Sequence, residues 1–408
     1  MKKNLAIVTT WFERGAAYVS KQLMKTLLKN YNVFIYARGG EKFAIEDKNW
    51  DKDYVWWGKK KYFPISTYID LKDFENFLKE KNIEIVIFNE QMWWEPVIFC
   101  KKKNILVGAY VDYYKEDSIK LFGIYDFLIC NTKRHYSVFN WHPQAYYIPW
   151  GTDINLFSPK NFFSNNKDKL IFFHSSGMNP FRKGTIFFIK AINELYNKTN
   201  KFKAIIHSQV DLNKYLKKEE QEILDQFIKK DVVEVIIKTV SAPGLYHLGD
   251  VYVYPTVLEG IGLTIAEAIS MGLPTIVPNN APMNEFVKDN INGKLVKIDK
   301  FYSRADGYYW PKCEVDIEDL ADKMLSFIEN FEKMEEFKKI TRQYAEKYLN
   351  WDKNSVILND LLKNTSFLLL KNDVFIKALN YHNSKYPMIW KYRKIYEIID
   401  FIYHKVKK

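Results

Sequence analysis

The chain has 408 residues, 47% of them hydrophobic and 17% aromatic, and carries a net charge of +12. That length exceeds one ordinary core, so two domains are expected, and so large a hydrophobic share excludes a disordered chain. The three scattered cysteines, Cys100, Cys130 and Cys313, have no CxxC spacing and are odd in number; they exclude a disulfide framework and fit a reducing cytoplasm.

No long apolar run occurs, so a soluble or peripheral protein is expected, and a strand close behind Met1 leaves no expected signal peptide. The positive charge suits an anionic partner, whether nucleic acid, an anionic membrane or a phosphorylated substrate; an ordinary lysine-rich surface is the plainer reading. No basic-aromatic motif of a known nucleic-acid module stands in the chain, so no nucleic-acid partner is expected.

In chain order, Leu5–Thr9 reads as a buried strand followed by a loop that contains Gly15. An amphipathic helix over Tyr18–Leu28 and a strand over Asn32–Ala37, closed by Gly39-Gly40, come next. Buried strands at Ile83–Phe88, Ile105–Tyr110 and Phe127–Cys130 are separated by helix-length segments. Such continuous apolar strands between helices predict a parallel, doubly wound sheet.

A composition shift at 149–160 and the polar run 164–169 mark a boundary, after which the pattern repeats. Strands are predicted at Lys169–His174, Ala204–His207, Val232–Lys238, Asp250–Tyr254 and Pro274–Val277, with helices at Thr185–Tyr196 and Leu216–Lys229. The expected fold is α/β, two doubly wound Rossmann-like domains facing a central cleft. The expected divisions are 1–160, 161–365 and a basic helical segment at 366–408.

The segment 254–278 carries the most chemistry. It joins a strand, a turn containing Gly260 and Gly262, a short helix and a second strand, with Glu259 in the turn and Glu267 on the helix. A turn of this kind aims backbone N–H groups and a positive helix end at one point, which suits a phosphate. Glu267 lies roughly two helical turns further on, where a carboxylate accepts hydrogen bonds from sugar hydroxyls. Asp51-Lys-Asp53 has the form of a metal–nucleotide motif but reads as solvent-exposed. His135, His142, His174, His207 and His247 show no metal-ligand spacing.

Together with the Gly15 loop, Pro149-Trp-Gly-Thr-Asp153, Phe157-Ser-Pro159, Gly177–Gly184 and Asn292–Val296, this segment resembles the GT-B glycosyltransferases, in particular retaining family 4. The likeness covers most of the chain and implies a nucleotide-sugar donor held mainly by the C-terminal domain, with acceptor contacts mainly from the N-terminal one. It implies that Glu259 meets the donor sugar's hydroxyls and Glu267 the ribose hydroxyls. The backbone N–H groups of Gly260, Ile261, Gly262 and Leu263 would meet sugar and phosphates, Arg182 and Lys183 would neutralise the diphosphate, and Gly15 would allow close approach. No metal or other cofactor is expected.

Two departures stand out. Met178 occupies a place where the family often has arginine, and Val111 the place of a histidine before Asp112. Asp112 is therefore read either as a catalytic polar group or as a turn residue. Two other activities stay open, a nucleotide-sugar epimerase of the same fold and a catalytically silent sugar-nucleotide-binding subunit.

Trp56-Trp57, Trp93-Trp94 and Tyr113-Tyr114 are divided between an acceptor-sugar platform and core. The aromatic run 301–312 reads as an insertion, lying over the donor site or packed on the surface. Near the C-terminus Met388, Tyr392, Ile395, Ile399, Ile402 and Val406 recur at helical spacing, and residues 381–408 hold seven Lys/Arg against two acids. That helix either lies on an anionic membrane, at its inner face and near a lipid-linked acceptor, or packs back on the N-terminal domain.

Overall fold

The computed structural model describes residues 2–38, 44–59, 67–159, 168–369 and 372–385, with Ile395, Ile398, Ile399 and Ile402 beyond them. Gly39-Gly40, residues 164–167 of the polar run, and Met388, Tyr392 and Val406 lie outside the described residues. The chain folds as two compact units, one of residues 1–148 and 355–408, the other of residues 149–354.

In the first unit, β1 (Lys3–Thr9), β2 (Tyr31–Ala37), β3 (Val55–Trp57), β4 (Ile85–Asn89), β5 (Leu106–Tyr110), β6 (Phe127–Cys130) and β7 (Ala145–Tyr147) form one sheet in the order β3-β2-β1-β4-β5-β6-β7. Every pairing is parallel. β1, β4 and β6 are buried along almost their whole length, as a sheet covered by helices on both faces requires. The edge strands β3 and β7 escape a pattern-based reading because each has only three residues, all half-buried.

The second unit repeats the design. β8 (Leu170–Gly177), β9 (Phe202–Ser208), β10 (Val233–Ile237), β11 (Val251–Val253), β12 (Thr275–Pro278) and β13 (Gly293–Val296) are all parallel, in the order β10-β9-β8-β11-β12-β13. The chain order reverses between β8 and β11, and ligands of such sheets bind beyond the strand C-termini at this point. Its core joins Leu170, Phe172, Phe188, Ile192, Val251 and Ile276 from the strands and the helix Thr185–Lys198.

The divisions fall at 148 and 354, not at the expected 160 and 365, for a physical reason. The turn after Trp150 is hydrogen-bonded into the second unit: Thr152 N–H donates to Leu349 O (2.8 Å) and Trp351 N–H to Thr152 O (3.0 Å). Trp150 and Trp351 pack with ring centroids 4.9 Å apart and planes tilted by 40°. From 355 onward the chain packs on the first unit instead. Ser355 Oγ lies 2.9 Å from Thr26 Oγ1, and Leu368 N–H donates to the buried Asp126 carboxylate (2.7 Å). The helix Asn372–Lys385 continues this packing through Ala378, 1% exposed, and Tyr381, whose hydroxyl donates to Asp117 (3.2 Å).

Candidate active site

The loops that follow β8 and β11 meet at the point where the second sheet's order reverses. Gly184, at φ +73°, ends the first loop and opens the helix Thr185–Lys198. A Cβ built there would stand 1.9 Å from Pro255 O, so glycine lets the two loops touch backbone to backbone. Val257 N–H donates to Arg182 O (2.9 Å), as does Thr256 Oγ1 (2.9 Å). The Arg182 backbone is thereby fixed while its side chain is exposed. We expect Gly184→Ala to force the loops apart, cost about 2–4 kcal/mol by strain and clash, and lower the melting temperature while the other unit stays folded; unchanged melting would refute the contact.

These loops bring Lys183 and Glu259 together. Lys183 Nζ donates to Glu259 Oε1 at 2.7 Å, with side chains 13% and 8% exposed. The same oxygen accepts from the Tyr254 hydroxyl (2.7 Å) and from Thr256 Oγ1 (3.1 Å). Burial works against the Glu259 charge, but Lys183 and Arg182 with these hydrogen bonds outweigh it and hold the carboxyl at about 2. Lys183 is pushed down to about 8, first by burial and then by Arg182, against the pull of Glu259. Both groups are therefore charged near neutral pH.

Gly262, at φ +100°, opens the helix Leu263–Ser270 without a side-chain cap. Gly260, Ile261 and Leu263 line this entry, Ile261 buried and Gly260 and Leu263 partly exposed. Glu267 sits one face along the helix and accepts from the Tyr246 hydroxyl at 2.6 Å. Burial raises its pKa, against the Tyr246 hydrogen bond and the Lys183 charge. The helix's far end is held by Arg342, which donates to Ser270 O (2.7 Å) and also to Phe157 O and Ile154 O. The turn at 151–157 thus braces the Glu267 helix.

The aromatic insertion is a hairpin of β14 (Ile298–Tyr302) and β15 (Lys312–Val315). Cys313 N–H donates to Val257 O at 2.9 Å, so β15 flanks the Glu259 loop. Lys312 Nζ lies 5.6 Å from the Phe181 ring centroid. Tyr308 is buried, whereas Phe301 and Tyr309 are exposed.

In the first unit Gly15 is exposed at the start of the helix Gly15–Leu27. Asp112 follows β5 and is partly buried, with His135 Nε2 3.9 Å from its Oδ1. His135 Nδ1 is 2.9 Å from the Tyr114 hydroxyl. A histidine thus reaches Asp112 from the helix Lys133–Phe139, although Val111 holds the place where the motif would put one. Trp93, Trp94 and Tyr114 are core residues, and Trp56 and Trp57 are half-buried. Asp51 accepts from Trp57 Nε1 (2.8 Å) and Glu46 N–H (2.7 Å), which makes it a loop organiser. His174 is fully buried between Val253 O (2.8 Å) and Thr185 Oγ1 (2.9 Å), a structural histidine.

Tyr246 and His135 have no signature in the sequence pattern, since each finds its carboxylate through tertiary packing, whereas Tyr254 meets Glu259 within the same strand–turn segment, five residues on. Among the described residues no group of three His, Cys, Asp or Glu could hold a metal ion, and no helix is long and apolar enough to cross a membrane.

Residues 168–330, less than half of the chain, match the family described as glycosyl transferases group 1. The fold is that of GT-B glycosyltransferases. A glycosyltransferase from Rickettsia africae superposes with a TM-score of 0.69 at 15% identity, over 89% of this chain and 99% of that one. Anabaena HepE, solved in complex with UDP-glucose, superposes with a TM-score of 0.65 at 14% identity, over 89% and 100%. An uncharacterized glycosyltransferase of Methanocaldococcus jannaschii is 28% identical over 153 residues, 36% of this chain and 37% of that protein. The matched segments span from 8% to 37% of the curated relatives.

Proposed function

We propose that this chain is a retaining, metal-independent glycosyltransferase that moves a sugar from a nucleoside diphosphate to a hydroxyl of a glycan, glycolipid or glycoprotein. The observation that carries the reading is the charged Lys183–Glu259 pair at the reversal point of the second sheet, with Arg182 beside it. Its relatives' complexes support the donor class: HepE with UDP-glucose, and a pneumococcal O-GlcNAc transferase with UDP and GlcNAc.

Arg182 and Lys183 take the diphosphate, Glu259 the sugar's hydroxyls, Glu267 the ribose hydroxyls, and the N–H groups of Gly260–Leu263 the sugar and phosphates. The bond from the anomeric carbon to the phosphate oxygen breaks with its electron pair leaving on the diphosphate. The acceptor oxygen attacks the same face, and its proton passes to the departing phosphate oxygen. Charge on that oxygen grows in the transition state, where preformed cations act most strongly. Two cationic side chains supply this stabilisation without a metal. Asp112 is read as a catalytic polar group, and Gly15 as a donor-binding residue that allows close approach of phosphate or acceptor.

Proton NMR of a nucleotide sugar, alone and with a panel of glycans, tests the reaction. Product with the donor's anomeric configuration, formed only with an acceptor, is expected; interconversion of the nucleotide sugar alone would make the chain an epimerase.

We also read the protein as peripheral to the inner face of the membrane. Ile395, Ile398, Ile399 and Ile402 are helical, spaced as one stripe, and 52–59% exposed. The basic excess of residues 381–408 complements anionic lipid. We expect sedimentation with phosphatidylglycerol vesicles but not with pure phosphatidylcholine, and loss of binding in Ile395→Ser/Ile399→Ser. Failure to bind either vesicle would remove this reading.

A further inference from the structure

We infer that Tyr254 is a positioning residue that keeps Glu259 in place when Lys183 is drawn away to the donor's diphosphate. The inference rests on the donor-site reading. Lys183 and Glu259 satisfy each other at 2.7 Å, yet the donor needs both, the ammonium for its phosphates and the carboxylate for its sugar. When Lys183 turns to the diphosphate, Glu259 Oε1 loses its strongest donor while still buried. A buried carboxylate in that position moves or takes up a proton unless another donor holds it.

Two neighbouring hydroxyls also donate to Oε1, and they are unequal. Thr256 Oγ1 has one proton and three competing acceptors, Arg182 O at 2.9 Å, Glu259 Oε1 at 3.1 Å and Leu258 O at 3.4 Å. The Tyr254 hydroxyl donates to Oε1 at 2.7 Å. Its ring has nowhere to swing. It is fully buried, stacked on Tyr252 (5.3 Å between centroids, 19° between planes) and 6.2 Å from His174, itself fixed at both ring nitrogens. The ring also lies 5.1 Å from Lys183 Nζ, so one side chain supports both partners of the pair: the cation by its face and the carboxylate by its hydroxyl. That arrangement lets the pair open without the carboxylate drifting.

Tyr254→Phe keeps the ring and removes the hydroxyl. Binding of UDP, or of GDP or ADP if the wild type prefers one of these, should stay within about twofold, because the phosphate end is untouched. kcat with the corresponding nucleotide sugar should fall about ten- to a hundredfold, or about 1.4–2.8 kcal/mol at 1.4 kcal/mol per tenfold. Tyr254→3-fluorotyrosine, which restores the hydroxyl, should recover it. An unchanged kcat would overturn the inference, as would equal losses in diphosphate binding and turnover, which mark a merely structural role. Carbon-13 NMR of the Glu259 carboxyl, assigned by Glu259→Gln, gives a readout without ligand: its titration should move to higher pH in Tyr254→Phe, and an unmoved titration refutes the inference. If the wild type binds no nucleotide, the donor-site reading falls, and this titration still decides the role of Tyr254.

Discussion

Replacing Glu259 by alanine is expected to lower turnover by about a thousandfold or more, on the scale seen when a single group that stabilises developing charge is removed from an active site. The effect is larger than the loss of one contact. Glu259 anchors Lys183, Tyr254 and Thr256 at a single oxygen, so its removal also leaves a buried ammonium without its carboxylate. Glu267→Ala should behave differently. Its carboxylate takes its hydrogen bond from Tyr246 and not from Lys183, so its loss weakens donor binding by about 1.5–3 kcal/mol, the range for a hydrogen bond to a charged group, and leaves turnover at saturating donor near the wild-type value. Steady-state release of the nucleoside diphosphate separates the two. Turnover of Glu259→Ala within tenfold of wild type would remove Glu259 from the reacting centre.

Lys183→Ala is expected to reduce both donor affinity and stability. Taking one partner from a buried ion pair costs about 3–5 kcal/mol, and the lower end applies here because Tyr254 and Thr256 remain as donors to Glu259. The pH dependence carries a sign. With Lys183 at about 8, the ammonium is present below that pH and lost above it, whereas bound phosphates favour the charged form. Affinity for a nucleoside diphosphate should therefore be constant from pH 6.5 to 7.5 and fall as pH rises through 8 to 9.5. Calorimetric titration across that window checks it. Lys183→Gln should bind more weakly and lose the dependence; a flat wild-type profile would place Lys183 away from the phosphates.

The local part of this site was legible in the sequence. Glu259, Gly260, Gly262 and Glu267 lie on one continuous strand–turn–helix, whose geometry follows from spacing and from the freedom glycine gives the turn. Gly177–Gly184 was legible for the same reason, ending in a left-handed glycine that only a close backbone approach requires. What spacing does not encode is which distant side chain reaches a carboxylate. Tyr246 is 21 residues from Glu267, and both Tyr114 and Asp112 meet a histidine more than 20 residues away. The seven-stranded and six-stranded sheets were readable where strands are long and buried, and not at β3 and β7, where three half-buried residues show no period, nor at the short, partly buried β13. The insertion at 301–312 was visible as a break in the pattern, but its role as a strand beside Val257 depends on a single tertiary hydrogen bond from Cys313.

The central claim, that the loops after β8 and β11 bind a nucleotide sugar, is tested most directly by a thermal-shift panel of UDP-, GDP-, ADP- and CMP-sugars on the wild type and on Lys183→Ala. A ligand at a hundred times its Kd adds about 2.7 kcal/mol to the stability of the unit that holds it. At least one class is expected to raise the melting temperature of the wild type, with a smaller shift in Lys183→Ala. Stabilisation by none of the four, or an equal shift in the variant, would contradict it.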